Sequence, residues 1–183
     1  NGLRRAQEFL GERFPKSHNI LLLKIHGSLN WLYCSKCDEV DVSVVGKGAV
    51  RTLSGDFHCL NVNCTNKYES LLITPTMFKN YENSFIRRTW DYAEKELTEA
   101  DRLVFIGYSL KEEDYQIRCL LMKALLNRPR PYVDVIVIED LPRDSERKRW
   151  LDENVKQNYE RLFGTIDFRP IGFVQYVQCA NNF

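Results

Sequence analysis

The sequence predicts an α/β fold: a parallel sheet flanked by helices, with a small cysteine-bearing module inserted. Three observations carry that expectation. Apolar runs short enough for strands alternate with stretches of helical periodicity, and parallel neighbours need the crossover connections that such helices supply. Four of the six cysteines fall in two close pairs within a glycine-broken segment. With 183 residues, 44% of them apolar, the chain can bury a core without disulfide staples.

The chain opens at Asn1 with no initiator Met and runs directly into a charged, helix-compatible stretch, Leu3 to Phe14. This opening predicts a piece of a larger protein. Ile20 to Ile25 (ILLLKI) is a continuous apolar run closed by His26 and Gly27, the pattern of a strand buried on both faces. From Asn30 to about Tyr68 the texture changes to short strand-like pieces, Val42 to Val45 and Val50 to Leu53, broken by Gly46, Gly48 and Gly55. Residues 30–68 therefore read as the inserted module, and residues 1–29 with 69–183 as the main domain.

Leu71 to Thr74 is strand-like and leads to Pro75. A helix follows from about Tyr81 to Ala100, because Ile86, Trp90, Ala93 and Leu97 recur at helical spacing on one face. Leu103 to Gly107 (LVFIG) is a second buried strand, and Glu113 to Leu126 a helix with Ile117, Leu121 and Ala124 inward. Asp134 to Glu139 (DVIVIE) is a third strand. Pro142 to Phe163 is charged but carries an apolar stripe of Leu151, Val155, Tyr159 and Leu162, so it reads as an amphipathic helix, with Glu146 to Arg149 on its solvated face. A strand, Ile166 to Pro170, and a short tail containing Phe173 and Tyr176 close the chain. Ligands of parallel sheets bind beyond the carboxyl ends of the strands, where this reading places His26, Ser109 and Glu139.

Charge narrows the function classes. With 26 basic against 25 acidic side chains there is no global positive field for a phosphate backbone, so general nucleic-acid binding is not expected. No apolar run has the length of a membrane helix, and no signal-peptide pattern is present at the N-terminus, so a cytoplasmic location is expected.

Cys34 and Cys37 form C-x-x-C, and Cys59 and Cys64 a looser C-x4-C pair. Two close pairs on opposed turns deliver four thiolates at tetrahedral distance, the donor set of a structural zinc ion. The segment has few large apolar residues to order it otherwise. A closed four-sulfur shell leaves no open position, so the metal is expected to hold structure and to perform no catalysis. His58 is the other candidate ligand but would have to displace a thiol; Cys119 and Cys179 read as ordinary thiols.

Taken alone, a histidine after a run of leucines is more often a hydrogen-bonded core residue than a catalytic one. The string KIHGSLNWLYCSKC, however, resembles the sirtuin signature that joins a catalytic His-Gly to the first pair of zinc ligands. The resemblance continues in order through the second cysteine pair, the Pro-containing ITPTMFKNY, a helix with Trp90, ADRLVFIGYSL, which is similar to the sirtuin strand ending in Gly-Thr-Ser-Leu, and DVIVIED. YERLFG followed by GFVQYV looks like the bacterial sirtuin-like branch, which includes NAD-consuming proteins of antiphage defence. It covers most of the chain from about Ile20 onward.

The resemblance implies a partial Rossmann-like sheet with an inserted zinc-ribbon module, and NAD as substrate. His26 would be the base acting on the nicotinamide-ribose hydroxyl, work that a near-neutral imidazole suits. Gly107 and Ser109 would line the cofactor, the glycine by close backbone approach and the serine by a hydrogen bond. Glu139 would accept from the adenosine ribose hydroxyls.

Departures from the family pattern shape the expected activity. Tyr108 stands where sirtuins have Thr. ITPTMFKNY lacks the Phe-Gly-Glu that follows the corresponding Pro in protein deacetylases, which favours NAD hydrolysis over acyl-lysine chemistry. The Gly-Ala-Gly-x-Ser loop that cradles the diphosphate is absent. The expectation is thus the C-terminal part of a sirtuin-like domain whose parent, with further domains, cleaves the nicotinamide-ribose bond of NAD, while this chain alone is inactive. The alternatives are an NAD-dependent deacetylase acting on an acylated protein, and a noncatalytic zinc-stabilised interaction module.

Overall fold

The computed structural model describes residues 21–41, 57–73, 83–126, 129, 131–136 and 145–180. The expectations placed on Leu3 to Phe14, Val42 to Val45, Val50 to Leu53, Thr74 and Pro75, and Glu139 lie outside the described residues. The chain divides into two compact units, Asn1–Ala93 and Glu94–Phe183, with the division falling inside a helix.

In the first unit, β1 (Gly27–Cys34), β2 (Glu39–Asp41) and β3 (Glu69–Leu72) form an antiparallel sheet in the order β2-β1-β3. Residues 35–38 turn β1 back into β2, with Asp38 left-handed at φ 52°. The β1–β3 register is interrupted: Gly27 faces Leu72, but Leu32 already faces Ser70. Five steps along one strand answer two along the other, so β1 bulges away from its partner between these points.

Helix α1 (Ser84–Glu99) starts in this unit. The Asn83 side-chain carbonyl accepts from the backbone N–H groups of Phe85 and Ile86 at 3.0 and 3.1 Å, filling two of the donors that a helix start leaves open. Phe85 and Ile86 pack with Val40 and Leu71, and Trp31 meets Phe85 edge to face at 5.0 Å between ring centroids.

The buried parallel strand expected at ILLLKI is not found. Residues 21–24 are irregular, Leu22 is 72% exposed, and regular strand pairing starts only at Gly27. An apolar run becomes a buried strand only where both its faces are covered; the antiparallel partner here is β3, which pairs with β1. His26 consequently lies in a turn that precedes an antiparallel strand, not at the carboxyl end of a parallel one.

The second unit contains β4 (Arg102–Ile106), α2 (Tyr115–Leu125), β5 (Tyr132–Ile136), α3 (Glu146–Phe163), β6 (Asp167–Arg169) and α4 (Phe173–Ala180). Its three strands are parallel in the order β4-β5-β6. Leu103, Val133 and Val135 pack against Leu121 of α2 and Val155, Tyr159 and Phe163 of α3, with Leu97 of α1 at the margin. The alternation of side chains along a strand puts these residues on one face. On the other, Val104 and Ile106 are 40% and 39% exposed, so that face of β4 is only partly covered. Asp134 is buried on that second face and accepts from Arg102 Nε at 2.5 Å, with Arg169 Nη2 3.8 Å away.

Two further readings of the sequence need correction. Lys148, assigned to a solvated face, is 6% exposed and pairs with Asp152 at 2.7 Å, one turn on. A lysine stem packs well against apolar neighbours when its ammonium finds a carboxylate. The segment around Phe173 and Tyr176, expected as a tail, is helix α4.

Candidate functional site

The four paired cysteines come together in the first unit. One sulfur from each lies within 4.8 Å of every other, with Cys34 Sγ 3.7 Å from Cys64 Sγ and Cys59 Sγ 3.9 Å from Cys37 Sγ. Four sulfurs about 2.3 Å from one ion at tetrahedral angles stand about 3.8 Å apart, which the 3.7 and 3.9 Å pairs match while the other separations stay within 4.8 Å. Cys34 is the last residue of β1 and Cys37 lies in the turn that follows. The second pair is set by backbone bonds: Cys59 N–H donates to Asn66 O at 2.9 Å, Cys64 N–H to Asn61 O at 2.9 Å, and Tyr68 N–H to Phe57 O at 2.8 Å. Leu32, Tyr68 and Phe57 pack around the sulfurs.

The thiols are electrostatically unequal. Burial alone would raise Cys34, but backbone N–H groups of Cys37 and Lys36, with Cys59 and Asn66 side chains, bring it down to about 7. Cys37 is pushed up to about 12, chiefly by its hydrogen bond with Cys64 and then by burial. Burial likewise raises Cys59. Cys34 therefore ionises ahead of Cys37 and Cys59, and a full set of like charges in so small a space calls for a cation. The donor set suits a metal ion: all four ligands are sulfur, three of them are buried, and no coordination position would be left for a substrate. His58 is exposed, bridges to Lys67 and does not join the cluster. Cys119 on α2 is half-buried and Cys179 on α4 is exposed.

His26 also belongs to the first unit and is half-buried. Its carbonyl accepts from Ile73 N–H at 2.8 Å, tying the turn to the end of β3. The Trp90 ring stands edge-on to the imidazole, 6.3 Å between centroids, and Trp90 Nε1 donates to the neighbouring Ile25 carbonyl at 2.7 Å. The tryptophan on the inward face of α1 thus fixes the backbone on which the imidazole is carried. Gly27, next to it, is left-handed at φ 78°.

Gly107 and Ser109 belong to the second unit, just past the carboxyl end of β4. Gly107 is left-handed at φ 65° and Leu110, fully buried, at φ 48°, so the loop between them is bounded by two left-handed residues. Helix α3 holds this loop: Tyr159 Oη donates to Tyr108 O at 2.9 Å and Asn158 Nδ2 to Ser109 O at 3.1 Å. Tyr108 Oη donates to Asp114 at 2.8 Å. Burial, followed by that hydrogen bond to Asp114, raises the Tyr108 phenol.

No family model matches the sequence, and a search of the curated proteins finds no significant match. Residues that the sequence reading passed over are Asn61 and Asn66, whose side-chain amides approach Cys37 Sγ and Cys34 Sγ, and Trp90 in its contact with the His26 turn. The asparagines had a legible signal: they lie within and just after the second cysteine pair, where Asn commonly closes turns on its own backbone.

Proposed function

We propose that the four cysteines hold a structural zinc ion, and that the chain is the zinc-stapled α/β portion of a sirtuin-like domain that cleaves the nicotinamide-ribose bond of NAD by hydrolysis. The zinc part rests on the tetrathiolate spacing. The NAD part rests on one observation: the His26-Gly27 turn and the cysteine cluster occupy the two ends of a single strand, β1, as the resembling motif requires. The left-handed Gly107 at a parallel strand's carboxyl end also suits a backbone that a dinucleotide approaches closely.

In this reading His26 takes the proton of a ribose hydroxyl or orients water, and Trp90 fixes the turn that carries it; Gly107 and Ser109 are assigned to the cofactor on the resemblance. Glu139 is assigned to the adenosine ribose on the resemblance alone. Zinc, when bound, supplies cross-linking and no Lewis-acid step. A finer Rossmann-like description of the second unit and a zinc-ribbon description of the first belong to the same proposal. A second reading, a noncatalytic zinc-stabilised interaction module, is favoured by the four-sulfur shell, which would hold structure without leaving a position for a substrate.

The test is NAD added to the longer parent protein, isotope-labelled over this chain, with amide shifts followed at His26 and Gly107 to Leu110, alongside product analysis with and without an acetyl-lysine peptide. Amide shifts with free ADP-ribose support hydrolysis, and acetyl-ADP-ribose supports a deacetylase instead. Neither shifts nor product would remove the NAD reading and leave the interaction module. Turnover that survives His26→Ala would take His26 out of the mechanism.

A further inference from the structure

Asn61 Nδ2 lies 3.7 Å from Cys37 Sγ and Asn66 Nδ2 lies 3.8 Å from Cys34 Sγ. Both are N–H to sulfur distances, and in both the amide comes from the loop of the second cysteine pair while the sulfur belongs to the first. The orientation of Asn61 is decided by its other end. Its Oδ1 accepts from Asn63 N–H at 3.1 Å, closing a turn of the chain on itself, so the nitrogen is the atom left to face the sulfur. Asn66 Nδ2 also donates to Ser35 Oγ at 3.2 Å.

We infer that Asn61 and Asn66 are positioning residues of the metal centre: their amide N–H groups hold the Cys37 and Cys34 sulfurs and draw off part of the negative charge that a tetrathiolate shell accumulates. The inference rests on the zinc reading above. Two physical consequences distinguish it from simple packing. A thiolate carries its charge at lower energy when it accepts a hydrogen bond, so the shell keeps its metal longer. Each amide also fixes a sulfur across the gap between the two cysteine loops, so the loops are held in register before a metal arrives. Cys37 is the most accessible of the four sulfurs, and Asn61 serves it.

Isosteric substitution separates the donor from the fold. Asn61→Asp keeps the oxygen that accepts from Asn63 N–H and replaces only the donating nitrogen; Asn66→Asp does the same opposite Cys34. Asn63→Asp, at an exposed position in the same loop, adds an equal charge and keeps the backbone N–H that bonds Asn61. Each protein is loaded with zinc and the rate of metal transfer to a colorimetric chelator is measured. The expected result is transfer faster by about tenfold to a hundredfold for the first two variants, with Asn63→Asp close to the parent.

Cobalt loading gives a second readout, since loss of a sulfur-bound N–H moves the sulfur-to-cobalt charge-transfer band to lower energy. A third uses the unaltered protein loaded with cadmium-113, in which the side-chain amide protons of Asn61 and Asn66 should show coupling to the metal through the sulfur. If the unaltered chain binds about one zinc, but neither coupling nor faster transfer is seen, the role of the asparagines is refuted and the metal site stands. If the unaltered chain binds no zinc, the metal reading itself falls.

Discussion

Adding one methyl group at Gly27 should be far more damaging than adding one at Gly172, although both glycines are left-handed, at φ 78° and 74°. An alanine at either position carries the strain of that backbone region, about 1–2 kcal/mol. At Gly172 nothing lies within 4 Å of the new carbon, so the cost ends there. At Gly27 the carbon would sit 2.1 Å from the Leu71 carbonyl oxygen, 3.0 Å from its carbon and 3.3 Å from Leu72 Cα. These are backbone atoms of β3, which cannot swing aside as a side chain can. Relief requires moving β1 from β3 at their Gly27 to Leu72 pairing, and overpacking of this kind typically adds about 1–3 kcal/mol. Gly27→Ala should therefore cost about 2–5 kcal/mol against about 1–2 for Gly172→Ala. Native-state amide exchange reads the two sites separately, through Ile73 N–H on the His26 carbonyl and Tyr176 N–H on the Gly172 carbonyl. Equal losses of protection at the two sites would refute the close approach of β3 to the His-Gly turn.

Four other outcomes follow from the geometry. Removing metal with a chelator should first release the amides of Cys59, Cys64 and Tyr68 to exchange, while β4 to β6 keep their protection; simultaneous loss in both units would contradict a locally acting staple. Ser145→Ala deletes the side-chain acceptor of Lys148 N–H at the start of α3 and should cost about 1 kcal/mol in urea unfolding of the second unit. Burial raises the Tyr159 phenol above its ordinary 10.0, so the folded state keeps a proton that the unfolded chain gives up; stability is whole below pH 10 and falls as pH rises beyond it. Tyr159→Phe should make that alkaline fall shallower while lowering neutral-pH stability by about 1–2 kcal/mol, because the Tyr108 carbonyl loses its donor; an unchanged alkaline slope would count against the burial argument. At the acid end, the hydrogen bond from Arg169 lowers the Asp167 carboxyl, so its contribution is present above pH 3.8 and disappears as pH falls through the lower folded value; Asp167→Asn should lose that acid dependence in a urea series.

Periodicity made the helices and most of the second unit's strands legible. Ile86, Trp90, Ala93 and Leu97 repeat at the spacing of one helical face whatever lies around them, and the same holds for Val155 and Tyr159. The cysteine cluster was equally open to reading, because its chemistry is local to two short spacings. ILLLKI misled because an apolar run specifies burial, and burial depends on which neighbours arrive. Lys148 escaped for the related reason that its ammonium finds Asp152 only once a helix brings them one turn apart. Asn61 and Asn66 were legible as turn residues beside the second cysteine pair, but which sulfur each amide reaches depends on single torsions that the sequence does not display. Glu139 lies outside the described residues, and its assignment rests on the resemblance alone.

The break in pairing between Gly27 and Leu32 bears on how this strand can change over time. A continuous ladder would carry any shift at the sulfur end along to the imidazole end, and every substitution near one would have to be compatible with the other. With only two steps of β3 answering five of β1, slack is built into the rod, and mutations around the sulfurs can accumulate without disturbing the turn at its opposite tip.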